Sequence, residues 1–178
     1  MASVLICQRN VGVTESKTFN DKHLATHAVN VGLLCGHGCK YCSTPALMRT
    51  HSFFKENNTT SFVALENGDA VIDLWTHIRV QKQIGKLTSD HVVMMSTVTD
   101  CWAPETHEHG MGRKILTAIL ENSECQVRIL TKNAAVSNDY DLISKYRDRV
   151  MVGLSITAPT YNEHIVKAIE PKASSISE

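Results

Sequence analysis

Four apolar runs rich in β-branched residues punctuate the chain, at 27–34 (HAVNVGLL), 91–97 (HVVMMST), 126–131 (QVRILT) and 150–157 (VMVGLSIT). Each has strand length and nearly continuous hydrophobicity, the pattern of strands in a parallel sheet covered on its faces. Between them the apolar period changes. Val71, Ile72, Trp75 and Ile78 recur at helical intervals after the Asn67-Gly68-Asp69 turn, predicting a helix to Ile84 with Trp75 in its core-facing stripe and Gly85 closing it. Ile115, Leu116, Ile119 and Leu120 predict a helix over 111–121, and Leu142, Ile143 and Tyr146 one over 139–147. Thr160 can cap a last helix over 161–169, which Glu170-Pro171 breaks.

Strand and helix thus alternate four times, which predicts an α/β fold with right-handed crossovers. Residues 1–26 show neither period and read as an N-terminal extension, leaving 27–178 as one domain. Residues 43–60 read as irregular, with Phe53, Phe54 and Phe62 as packing residues and Cys7 as a lone thiol.

Composition narrows the setting. A chain of 178 residues can bury one real core, and 43% hydrophobic with 20% charged residues is ordinary for a globular domain. No apolar run approaches the roughly 18 residues of a membrane helix. The apolar start at 2–7 meets Gln8 and Arg9 too soon for a signal peptide. A cytoplasmic protein is expected, with its six cysteines as thiols or metal ligands rather than disulfides. Net charge is zero and the basic residues are scattered (Arg79, Lys82, Lys86, Arg113, Lys114, Arg147, Arg149), so charge gives nucleic-acid binding no support.

Three of the six cysteines crowd into Cys35-Gly36-His37-Gly38-Cys39-Lys40-Tyr41-Cys42, a C-x3-C-x2-C spacing. Thiolates are the usual ligands of iron–sulfur clusters, and three of them leave one iron of a [4Fe–4S] cube open to an outside ligand. The competing reading is zinc: the same cysteines with His37 or His51 would make a Cys3His site in a non-catalytic, zinc-stabilised binding module. A second C-x2-C or an H-x3-5-H would favour zinc, and the sequence has neither. His107 and His109 read as exposed loop residues.

The other apolar runs end in polar groups that strand packing does not need. They are Thr97, Thr99 and Asp100 after the second, Lys132 after the third, and Ser155 and Thr157 on the fourth. Carboxyl ends of parallel strands share one face, so these should converge on the cysteine loop.

With these residues in view, the chain resembles the spore photoproduct lyase-like branch of the radical S-adenosylmethionine (radical SAM) family. The matching pieces are CGHGCKYC, STVTDCWAPE, ILTK, LSIT and IEPKA, running from about residue 29 to 173. The resemblance implies a partial (β/α) TIM-like barrel with a [4Fe–4S] cluster on Cys35, Cys39 and Cys42. It puts Tyr41 beside the adenine of S-adenosyl-L-methionine, and Thr99, Asp100, Lys132 and Ser155 in contact with that cosubstrate. The implied reaction is reductive cleavage to a 5′-deoxyadenosyl radical that takes hydrogen from a substrate, which the residues do not name, as they do not name a catalytic group. A flavodoxin or ferredoxin would donate the electron.

Two departures stand out. Photoproduct lyase itself has a hydrogen-donating cysteine where this chain has Thr97, and Cys101 is the alternative thiol. Four strand–helix units are present where the family has six, so the barrel is expected to be C-terminally incomplete, completed by a further segment or a partner. A cluster-binding chain without turnover is then an alternative, and an open apolar edge an association hazard.

Overall fold

The first apolar run does not form one strand. In the computed structural model, which describes residues 3–178, it breaks at Asn30 and Val31 into two strands that belong to different sheets. The Asn30 side chain replaces ladder bonds at the break. Its Oδ1 accepts from the N–H groups of Val98 (2.6 Å) and Thr99 (3.2 Å), and its amide donates to Thr97 Oγ1 (2.8 Å). Gly32 then crosses so close to a neighbouring strand that an added Cβ would lie 2.1 Å from the Val71 carbonyl oxygen. Only glycine allows that approach.

In chain order the elements are β1 (Val4–Ile6), β2 (Thr14–Glu15), α1 (Lys17–Asp21), β3 (His27–Val29), β4 (Gly32–Leu34), α2 (Thr44–Met48), α3 (Ser52–Glu56), α4 (Ser61–Asn67), β5 (Ala70–Ile72) and α5 (Thr76–Ile84). There follow β6 (Val92–Met95), α6 (Pro104–Glu108), α7 (Met111–Asn122), β7 (Gln126–Thr131), α8 (Tyr140–Lys145), β8 (Val150–Leu154) and α9 (Glu163–Ile169), with short tight helical turns before α8 and α9.

The larger sheet has the order β2-β3-β6-β7-β8, in which β3, β6, β7 and β8 run parallel and β2 pairs antiparallel with β3. The smaller sheet is β1-β5-β4, parallel between β1 and β5 and antiparallel between β5 and β4. Two stretches therefore differ from the sequence reading. Within residues 1–26, β1 and β2 are integral to the two sheets. Val71 and Ile72 lie on a strand rather than a helix, because three apolar residues in a row suit either period.

One face of the larger sheet carries the main core. Val29, Val93, Met95, Val127 and Ile129 pack there against Val80 and Ile84 of α5 and Ile115, Leu116 and Ile119 of α7. Trp75 is not in that core: it precedes α5 and is 46% exposed. Trp102 is, wedged against Gly112 with its indole N–H donating to Asp139 Oδ2 at 2.8 Å. A second core under the smaller sheet joins Leu33, Leu34, Val71 and Cys7 to Phe54 of α3. Residues 43–60 are thus partly helical, and Phe62 is exposed while Phe54 is buried.

β8 is the outer strand of the larger sheet, and its apolar side chains are poorly covered: Met151 is 63% exposed and Leu154 52%. Among the described residues, no helix is long and apolar enough to cross a membrane.

Candidate metal centre

The cysteine loop leaves the end of β4 and turns on two glycines. Gly38 has φ +67°, and a Cβ there would press against Pro171 at 3.3 Å. Gly36 donates its N–H to Glu105 Oε1 at 2.5 Å, and an added Cβ would lie 2.8 Å from the other carboxylate oxygen. The Cys42 N–H donates to the Cys39 carbonyl (3.0 Å), closing the loop's last turn.

So folded, Cys35, Cys39 and Cys42 line a single open cavity of about 210 Å³. Thr97 and Asp100 beyond β6, Lys132 beyond β7, Ser155 beyond β8 and Tyr41 of the loop line it as well. The convergence expected from parallel strand ends is thus present for these groups. Thr157 and Thr99 are the exceptions: Thr157 lines a smaller cavity behind Lys132, and Thr99 lines neither. Thr99 is buried, its hydroxyl accepts from the Val31 N–H at 2.9 Å, and it holds the break between β3 and β4 instead.

His37, inside the loop, is the most constrained side chain of the region. Its Nε2 donates to Asp100 Oδ2 at 3.0 Å and its Nδ1 to the Lys172 carbonyl at 3.1 Å. Both partners are acceptors, so both ring nitrogens must carry hydrogen. Burial by itself would lower the imidazole's pKa, but the hydrogen bond and charge of Asp100 outweigh it and raise it. Asp100 mirrors this. Burial works to raise its carboxyl, and the His37 bond and charge with the N–H groups of Lys132 (2.9 Å) and Trp102 (2.9 Å) bring it below the usual range. Thr131 Oγ1 donates to it as well, at 2.8 Å. With these donors in place, Asp100 ties the cysteine loop to β7.

Lys132 spans the rim. Its three ammonium hydrogens face Glu170 Oε1 (2.7 Å), Ser155 Oγ (3.0 Å) and Thr157 Oγ1 (3.3 Å), and its Nζ stands 5.6 Å from the centre of the Tyr41 ring. Glu170 comes from the segment after α9, which is strapped over the cysteine loop. The Lys40 N–H donates to the Ile169 carbonyl (2.9 Å), the Lys172 N–H to the His37 carbonyl (3.3 Å) and the Ser174 N–H to the Lys132 carbonyl (3.0 Å).

A Cys3His zinc site needs a histidine, yet His37 is committed to Asp100 and Lys172. His51 caps α3, its Nδ1 accepting from the Phe53 N–H at 3.3 Å, and does not line the cavity. Among the described residues, no three His, Cys, Asp or Glu side chains gather around a point where one metal ion could be held. A cluster asks for less convergence, because each thiolate binds a different iron at its own corner of the cube. Three cysteines on one cavity wall are the thiolate set that a [4Fe–4S] cluster with one open iron would use. Burial pushes the Cys35 thiol up to about 12 and that of Cys39 to about 11, the latter helped by the charge of Glu170. Without metal Cys35 and Cys39 therefore hold their protons, and loading must release them.

His107 and His109 take no part: His109 is exposed, as expected, with its carbonyl accepting from Lys114, whereas His107 is half-buried on α6 rather than on a loop, its Nε2 facing the Asn138 amide at 3.3 Å. Cys101 is fully buried beside Trp102 and does not line the cavity.

No family model and no solved structure matches the chain. It is similar to an uncharacterized protein, ORF301, of Acidianus two-tailed virus, with 28% identity over 152 residues. The match takes in 82% of this chain and 46% of the viral protein, so the chain spans about half the length of that relative.

Sequence reasoning missed His37 as a structural link and passed over Glu170 as a helix breaker. The signal for Glu170 was present in the IEPKA piece, where an acidic residue precedes a proline directly after a helix.

Proposed function

We propose that this chain is a radical SAM protein: a [4Fe–4S] cluster on Cys35, Cys39 and Cys42 with S-adenosyl-L-methionine bound beside it in the same cavity. One observation carries it. Three thiols and a tyrosine of the loop after β4 share one cavity with a lysine and a serine at the carboxyl ends of the parallel strands β7 and β8. When bound, such a cluster supplies the single electron that splits the cosubstrate's sulfonium, yielding methionine and a radical able to take hydrogen from a substrate.

The chain's own residues bind and orient. Lys132 offers a charged donor to the cosubstrate's carboxylate, with the Ser155 hydroxyl beside it. Tyr41, 54% exposed at the cavity mouth, offers its ring to the adenine. Asp100 is assigned a different task from direct contact with the amino group: its oxygens are already taken, and it locks His37 and the Lys132 backbone. Thr97 lines the cavity but its hydroxyl is a poor hydrogen-atom donor, so DNA repair of the photoproduct lyase kind is not proposed. The fold is read as the first four units of a (β/α) barrel, with an external flavodoxin or ferredoxin as electron source.

The test is product analysis. Anaerobically reconstituted protein, reduced with dithionite in the presence of S-adenosyl-L-methionine, should form 5′-deoxyadenosine and methionine in equal amounts. An iron-loaded protein that forms neither would be a cluster-binding chain without turnover.

A further inference from the structure

Lys132 stands in a wall between two cavities. The front one holds the three cysteines; the back one, smaller at about 60 Å³, is closed by Thr157, Val166, Glu170 and the segment after Ala173. Lys132 and Ser155 line both, whereas Glu170 and Thr157 line only the back. The Glu170 carboxylate is only 2% exposed. It accepts from Lys132 Nζ at 2.7 Å and from the Thr157 hydroxyl at 2.5 Å. No other cation lies within ion-pairing distance of it among the described residues.

We infer that Glu170 is the positioning residue for Lys132, anchoring the ammonium from behind so that one N–H is presented to a ligand carboxylate in the front cavity. The three bonds of Lys132 are unequal, and this decides which one gives way. The Glu170 bond is short and charge-assisted, the Ser155 bond intermediate, and the Thr157 bond, at 3.3 Å, the longest. Thr157 is exposed and keeps its own bond to Glu170 when Lys132 lets go, so releasing it strands no hydroxyl. Thr157 Oγ1 lies 3.3 Å from the hydroxyl of Tyr41, which lines the front cavity, so a carboxylate entering beside Tyr41 replaces the Thr157 oxygen while Glu170 and Ser155 stay in place. Without Glu170 the lysine would lose its fixed end and spread over several rotamers, and the ligand would have to restore that order on binding. The inference rests on the radical SAM reading for the identity of the ligand, and adds a residue from the C-terminal strap to its binding site.

A double-mutant cycle read by direct binding tests it. S-adenosyl-L-methionine and its decarboxylated analogue are titrated into reconstituted wild type, Lys132→Ala, Glu170→Ala and the double variant, with iron per chain measured for each. Losing a charge-assisted bond should weaken S-adenosyl-L-methionine binding about tenfold or more in Lys132→Ala, and Glu170→Ala should weaken it comparably. The double variant should bind no worse than Lys132→Ala alone. Affinity for the decarboxylated analogue should be unchanged throughout. Glu170→Gln, whose amide oxygen still accepts from Lys132, should recover most of the loss. Additive losses, an equal loss for the decarboxylated analogue, or a fall in iron content in Glu170→Ala and Glu170→Gln would each overturn the positioning role alone. Failure of the iron-loaded wild type to bind either compound would overturn the radical SAM reading, and this inference with it.

Discussion

His37 and Asp100, 63 residues apart in sequence, are joined by a 3.0 Å bond between Nε2 and Oδ2 with both side chains buried. This pair fastens the cysteine loop to the end of the larger sheet. A buried ion pair contributes little net stability against an apolar substitute, but removing one partner leaves the other unsatisfied at a cost of about 3–5 kcal/mol. His37→Ala should therefore lower unfolding free energy by that order, read in urea titrations, and should lower iron retention in parallel. Wild-type stability in this variant would show that the loop is held by something else.

The glycines of the loop make a second expectation. Gly38 adopts a left-handed conformation that costs an L side chain roughly 1–2 kcal/mol, and Pro171 crowds the added methyl. Gly38→Ala should destabilise by about that amount in thermal unfolding. Gly110 also has positive φ but meets nothing within 4 Å, so Gly110→Ala reports the backbone cost alone. The excess at Gly38 measures the contact with the strap.

Trp102, within the STVTDCWAPE piece, is structural. It is fully buried, and its indole N–H satisfies Asp139, which otherwise faces only Arg113 at 3.3 Å. Trp102→Phe keeps most of the volume but leaves a buried carboxylate oxygen short of a donor, a cost of about 1–3 kcal/mol. Calorimetry on this variant and on Trp102→Phe with Asp139→Asn would check it. A cost that persists undiminished in the double variant would point to packing rather than the hydrogen bond.

Much of the sheet was legible because 91–97, 126–131 and 150–157 are apolar runs too short for helices and bounded by polar residues. The break at Asn30 was not, since a side-chain amide substituting for ladder bonds depends on Val98 and Thr99, far along the chain. The helices α2 to α4 were missed because five to seven residues are too few to show a period. At the site, convergence of Lys132, Asp100 and Ser155 on the cysteines followed from strand direction. Thr99 differed because its hydroxyl is taken by the Val31 N–H at the break between β3 and β4, a long-range contact that leaves no local signature. The strap carrying Glu170 needed a tertiary contact that no local pattern encodes.

The uncovered edge at β8 has its own consequence. Apolar side chains such as Met151 and Leu154 flank unpaired backbone groups, an arrangement prone to pairing with other chains. Met151→Lys with Leu154→Lys should reduce concentration-dependent association in sedimentation velocity while changing unfolding free energy by about 1 kcal/mol or less. Unaltered association would place the sticky surface elsewhere.

The bound metal decides whether the three loop cysteines hold a cluster. Iron and acid-labile sulfide are to be counted per chain after anaerobic reconstitution, in wild type and in single alanine variants of the six cysteines. About four irons and four sulfides per chain are expected, lost in Cys35→Ala, Cys39→Ala and Cys42→Ala and retained in Cys7→Ala, Cys101→Ala and Cys125→Ala. A colourless protein holding one zinc, or iron loading indifferent to the three loop cysteines, would contradict the account.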